Sequence, residues 1–171
     1  GRIFDEYVSA QEIQQCVEQV AERINRDYAG KELLLICVLN GAFMYASDLF
    51  KRITLPAEIT FVRLKSYEGT ATTGDVKMLN PLAVNVEGKD VIVVEDIVDT
   101  GRTLSYLLKM LSERKPKSLR LCTLLDKPER RVAEVNVEYT GFQIPDEFVV
   151  GYGLDYAQKY RNLPYIGVVE L

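Results

Sequence analysis

With 171 residues, 47% of them hydrophobic, the chain is sized for a single domain over residues 1–171, and no apolar run approaches the ~20 residues of a membrane span. There is no histidine, which excludes Ser-His-Asp and Cys-His nucleophilic machinery and any imidazole metal site, so proton transfer falls to carboxylates, lysine, tyrosine or water. A net charge of −4 without a long basic run gives a nucleic-acid surface little support.

Cys16, Cys37 and Cys122 sit among apolar residues without a C-x-x-C pair and read as buried thiols of a cytoplasmic protein. The N-terminus has no charged-then-apolar signal pattern, and its start at Gly1 implies trimming or an incomplete beginning. Ser9 and Glu12 have the spacing of a capping box. Ile13, Val17, Val20, Ile24 and Tyr28 then recur at helical spacing up to Gly30, which predicts a packing helix. The apolar run Leu33–Leu39 predicts a buried strand that ends at Asn40 and Gly41, a pair well suited to a tight turn. Residues 42–53 read as a helix with Phe43, Leu49 and Phe50 inward. In open α/β sheets, ligands gather at the carboxyl edge of the strands, where such a turn lies. Past Pro56, residues 59–64 read as a strand, and 65–75 has almost nothing to bury. That segment is either a functional loop or a mobile hairpin tip. Residues 76–79 and 82–86 read as the return strand.

The stretch 91–103 reads V-I-V-V-E-D-I-V-D-T-G-R-T. Its four β-branched apolar residues predict the central strand of a parallel sheet, with Glu95 and Asp96 where the strand ends. Asp99, Thr100, Gly101, Arg102 and Thr103 make a small hydroxyl-rich turn into Leu104, Leu107, Leu108 and Leu111, a helix running to about Glu113. Free N–H groups in a first helical turn, with about half a positive charge from the macrodipole, suit a phosphate. Gly101 admits a close backbone approach, and Thr100 and Thr103 can donate hydroxyl hydrogen bonds. Two carboxylates would repel that phosphate unless a sugar diol or a Mg²⁺ lay between. The stretch therefore asks for a ribose 5-phosphate with metal; the plainer reading is a strand end with a polar cap. Residues 118–125 form another apolar strand, and the β-α-β alternation implies a parallel sheet with right-handed crossovers. Lys127 follows it, a position where a lone lysine is normally solvated. Short strands and glycine turns are expected over 135–139 and 142–156, and a last strand over 165–170. Gly151 and Gly153 lack the third glycine and following helix of a dinucleotide fingerprint.

V-V-E-D-I-V-D-T-G-R-T resembles the phosphoribosyl-pyrophosphate (PRPP) signature of type I phosphoribosyltransferases, and the order Glu95, Asp96 resembles their 6-oxopurine branch. The resemblance extends from about residue 33 to the end. It implies an α/β fold of the type I phosphoribosyltransferase kind: a parallel core sheet flanked by helices over about 30–130, a flexible lid loop, and a small hood from about 134 to 171 with the N-terminal segment. The activity it implies is purine salvage, moving the 5-phosphoribosyl group of PRPP to hypoxanthine or guanine with release of pyrophosphate and with Mg²⁺ as cofactor. A homodimer or homotetramer is implied, without nucleic acid or membrane. Xanthine or pyrimidine transfer, and a non-catalytic sensor of PRPP or nucleotides, are the alternatives.

Residue by residue, the resemblance gives the 5-phosphate to Thr100, Gly101, Arg102 and Thr103. The ribose diol and metal go to Glu95 and Asp96, with Ile97 and Val98 beside them in the substrate site. Asp99 is the catalytic group, exchanging a proton with N7 of the purine. Asn40 and Gly41 face pyrophosphate across a bond that is often a non-proline cis peptide, and Asn40 stands where many members carry a basic residue. Ser66 and Tyr67 belong to the lid, which excludes water. Lys127 donates to the 6-oxygen of the base, which favours a carbonyl over an amine. Phe148 stacks on the base, Val149 offers backbone groups to its edge, Asp155 is a metal-linked carboxylate, and Arg161 reaches pyrophosphate. Singly, Phe148 also reads as core, Asp155 as a cap and Arg161 as a surface charge.

Overall fold

The computed structural model describes residues 2–66, 76–80 and 82–170. Helix α1, Ala10–Asp27, starts at the expected box: Ser9 Oγ accepts from the N–H of Glu12, and Glu12 Oε1 accepts from the N–H of Ser9. Its buried stripe of Ile13, Val17, Val20, Ala21 and Ile24 follows from the 3.6-residue period. Strand β2, Leu33–Leu39, has the expected bounds. Helix α2, Phe43–Lys51, buries Tyr45, Ala46 and Leu49. Phe43, expected inward, is 41% exposed. The buried set falls at i, i+1 and i+4, and Phe43, at i−2, falls on another side of the helix.

Strands β3, Ala57–Ser66, β5, Asp90–Val98, and β6, Ser118–Asp126, run parallel to β2, while β4, Val76–Met78, turns back antiparallel on β3. Adding β7, Tyr139–Gln143, gives a six-stranded sheet in the order β4-β3-β2-β5-β6-β7. Helix α3, Arg102–Glu113, crosses between β5 and β6. Alternation of side chains across the pleat divides the core in two. Leu33, Leu35, Cys37, Ile92 and Val94 pack with α1 and α2, and Leu34, Ile36, Val38, Val91 and Val93 pack with α3. The three cysteines are free and buried, as expected.

Two expected strands are corrected. Residues 82–86 form no strand: Val86 is buried under the second core from an irregular segment in which Asn85 Oδ1 accepts from the N–H of Glu87. Residues 135–138 are irregular too, although Val135 and Val137 alternate inward; the ladder begins at Tyr139. Alternating burial needs no hydrogen-bonded neighbour, so the pattern alone misplaces both strands. A second sheet, in the order β1-β9-β8, joins β1, Arg2–Val8, and β8, Val149–Val150, to β9, Ile166–Glu170. The N-terminal segment thus lies beside the C-terminal strands. No helix among the described residues is long and apolar enough to cross a membrane.

Candidate active site

Strand β5 does not stop at its acids. It continues through Glu95 and Asp96 to Val98, and its side-chain alternation slips on the way. Val94 packs on the α1 face, as does Ile97, while Val98 packs on the α3 face. Within the slip the N–H of Asp96 is accepted by Glu95 Oε1 at 2.9 Å, and that of Ile97 by Asp96 Oδ1 at 2.7 Å. Strict alternation would aim consecutive acids to opposite faces; here both line one cavity of about 370 Å³ at the carboxyl edge of the sheet. Burial, and then the neighbouring Asp96, push the carboxyl of Glu95 well above the ordinary range.

Gly41 comes so close to Asp96 that a Cβ there would overlap the carboxylate. The Leu39–Asn40 peptide bond before it is cis. A Cβ on Gly153 would in turn strike the carbonyl oxygen of Gly41, so the turn after β2 sits between the acids and the C-terminal segment.

Gly101, at φ 84°, is the N-cap of α3, and a Cβ there would meet the Ala133 carbonyl oxygen at 2.7 Å. That conformation suits glycine. No side chain caps the helix; the one local bond is from the N–H of Arg102 to Thr100 Oγ1, at 3.4 Å. Thr100, Gly101, Thr103 and Leu104 line the same cavity as the acids, beside Asp99. An anion there would meet amide hydrogens and two threonine hydroxyls. Arg102 is exposed and does not line the cavity; Val98 is fully buried, and its carbonyl accepts from the N–H of Lys127 at 2.9 Å.

The segment after β6 wraps this loop. The N–H groups of Val132 and Ala133 both donate to the carbonyl of Thr100. Arg131 donates to the Asp99 carbonyl and pairs with the buried carboxylate of Asp126, whose acidity is weakened by burial and partly restored by that arginine. Lys127, only 7% exposed, has Nζ 3.7 Å from Asp146 Oδ1. A nearly buried lysine with an ion pair this long is not the solvated surface lysine of the plainer reading. Phe148, 41% exposed, meets Tyr156 edge-on at 5.7 Å between centroids, and Val149 is buried in β8.

Asp155 and Arg161 pair with each other at 3.5 Å, and Arg161 also donates to the Gly153 carbonyl at 2.7 Å. Neither lines the cavity of the paired acids. Among the described residues no group of three acids or cysteines is set to hold a metal. Glu95 and Asp96 nonetheless fit Mg²⁺, which takes one or two protein carboxylates and fills its shell from water and substrate phosphates. Tyr67 and the side chain of Ser66 lie outside the described residues.

Sequence reading passed over Arg130, Arg131, Asp126 and Asp146. The signal for the two arginines is the adjacent pair Arg130 and Arg131 shortly after Lys127, but the partners Asp99 and Arg130 stand 31 residues apart. A larger cavity, of about 540 Å³, lies at the amino edge of the strands, among Gly30, Pro56, Gly88 and Lys117. Its acids, Glu32, Glu58 and Asp90, are not adjacent in sequence and no uncapped helix start faces it, so the smaller cavity is the candidate site.

The Phosphoribosyl transferase domain family matches residues 4–157. Hypoxanthine phosphoribosyltransferase of Salmonella typhimurium is 50% identical over 163 residues, covering 94% of this chain and 92% of that protein. Against the bifunctional protein TilS/HprT of Listeria monocytogenes the chain is 47% identical over 164 residues, yet spans only 25% of that protein's length. A crystal structure of a hypoxanthine-guanine phosphoribosyltransferase from Bacillus anthracis, with HEPES in its active site, superposes with a TM-score of 0.95 at 50% identity, covering 99% of this chain and all of that one.

Proposed function

Because the chain belongs to the phosphoribosyl transferase family, with hypoxanthine and hypoxanthine-guanine phosphoribosyltransferases among its relatives, we propose that it transfers the 5-phosphoribosyl group of PRPP to hypoxanthine or guanine in purine salvage. The observation that carries this reading is the single cavity in which Glu95 and Asp96 face the uncapped start of α3. A ribose 5-phosphate matches both halves: its phosphate meets amides and hydroxyls, and its diol donates to carboxylates.

Thr100, Gly101 and Thr103 hold the 5-phosphate, with the backbone of Arg102. Glu95 and Asp96 hold the diol, and Ile97 walls the sugar. Glu95 and Asp96 would hold a Mg²⁺, which when bound would supply positive charge against the acids and the pyrophosphate. Asn40, Gly41 and Arg161 lie toward pyrophosphate, and Asp155 keeps Arg161 in place. Phe148 stacks on the purine, an arrangement worth ~1–3 kcal/mol in nucleic-acid analogues. Lys127 donates to the 6-oxygen, and Val149 gives backbone groups to the base edge. The bond from C1′ to pyrophosphate breaks as the bond to the purine nitrogen forms, and the purine N7 proton passes to Asp99. With no histidine in the chain, this carboxylate has the best position for it. Positive charge grows at C1′, so water must be kept out, the part assigned to Ser66 and Tyr67. A homodimer or homotetramer in the cytoplasm completes the reading.

The test is incubation with PRPP, Mg²⁺ and hypoxanthine. One nucleoside monophosphate and one pyrophosphate should form per base consumed. PRPP binding without product would make the chain a sensor.

A further inference from the structure

Four side chains of alternating charge form a chain that starts at Asp99 and Arg130 in the cavity wall and continues through Asp146 to Lys127. Arg130 Nε lies 2.8 Å from Asp99 Oδ1, and another nitrogen of the same guanidinium lies 3.6 Å from Asp146 Oδ2. The other oxygen of Asp146 is 3.7 Å from Lys127 Nζ. Asp99 and Lys127, the two groups that act on the purine in the reading above, are the ends of this chain. Arg130 sits in a short 3-10 turn, Pro128–Arg130, whose last N–H is tied to the Lys127 carbonyl at 3.1 Å. Asp146 stands two residues before Phe148.

We propose that Arg130 is a positioning residue for proton transfer: it fixes the Asp99 carboxylate toward the base and ties it, through Asp146, to the segment that carries Phe148. The inference rests on the assignment of Asp99 made above. Arg130 and Asp99 are 46% and 42% exposed, so their ion pair contributes little to folding. What a rigid guanidinium fork supplies is direction. A carboxylate at a loop start is otherwise free to rotate about its own side chain, and misplacement of a reacting group by about 1 Å can cost a hundredfold in rate. Two acids shared by one guanidinium also couple the phosphate loop to the base-covering segment, so the base finds Asp99 and Lys127 already spaced.

Single-turnover rates, PRPP and base KM values and melting temperatures of Arg130→Gln, Arg130→Lys, Asp99→Asn and the Asp99→Asn/Arg130→Gln double variant test this. Arg130→Gln should slow the chemical step by about ten- to a hundredfold, with the PRPP KM and melting temperature unchanged. Arg130→Lys, which keeps the charge and loses the fork, should recover part of the rate. In the double variant the glutamine should slow Asp99→Asn no further, because an orienting group has nothing left to orient. Equal slowing by Arg130→Gln in both backgrounds, or a full-speed chemical step in Arg130→Gln beside a slow Asp99→Asn, overturns the inference alone. A chemical step in Asp99→Asn within a few-fold of the parent overturns the assignment of Asp99 itself.

Discussion

Gly41 is held to glycine by what a side chain would strike. Its missing Cβ is occupied by the Asp96 carboxylate, so Gly41→Ala must displace that acid, which faces the sugar in the reading proposed above. Overpacking of this kind costs about 1–3 kcal/mol. If the displaced group holds the ribose diol as proposed, the PRPP KM should rise by about tenfold or more, the equivalent of ~1.4 kcal/mol, with a smaller effect on the base KM. Titration of each substrate against the variant checks it. Lys127 supplies the complementary case. On the proposed reading Lys127→Ala removes a charged donor from the base, along with a long ion pair to Asp146, so kcat/KM for hypoxanthine should fall by the equivalent of about 1.5–3 kcal/mol while PRPP affinity holds. An unchanged kcat/KM would remove Lys127 from the site. If Asn40 faces pyrophosphate as proposed, its side chain brings no cation there, and Asn40→Lys should strengthen product inhibition by pyrophosphate. If the lysine variant binds pyrophosphate no better, backbone and metal dominate there.

Among the elements, those with a local cause were legible in the sequence. Helix α1 carries its own start signal and its own stripe, and β2 is an apolar run closed by a turn pair. Ser9→Ala should lower the stability of the protein by about 1 kcal/mol through the lost cap and leave kcat unchanged, a comparison of melts and rates. Elements defined by distant partners were not legible. The pairing of β1 with β9 joins the two ends of the chain, and neither strand announces the other. Val135 and Val137 imitate a strand because burial alternates there, yet the hydrogen-bonded ladder is set by where β6 ends. The slip in β5 was invisible for a related reason. Glu95 and Asp96 read as the end of a strand, whereas their own carboxylates accept the N–H groups of Asp96 and Ile97 and let the strand run on. The same holds for Arg130: its charge was in plain view and its partner was not.

The whole molecule sets two units against each other, a six-stranded sheet with the uncapped start of α3 at its carboxyl edge and a three-stranded sheet whose neighbouring segments carry Phe148, Asp155 and Arg161. They touch where Gly153 abuts Gly41. The cavity at the amino edge lies at the other end of the strands, and Lys89→Ala in its wall should leave kcat and both KM values as they are. The central claim is that one site joins a PRPP cradle to a clamp for a 6-oxopurine. It is tested most directly by initial rates with PRPP, Mg²⁺ and, in turn, hypoxanthine, guanine, xanthine and adenine. The ammonium of Lys127 donates and cannot accept, so hypoxanthine, guanine or both should be consumed and adenine should not. Adenine turned over as fast as hypoxanthine would contradict the account.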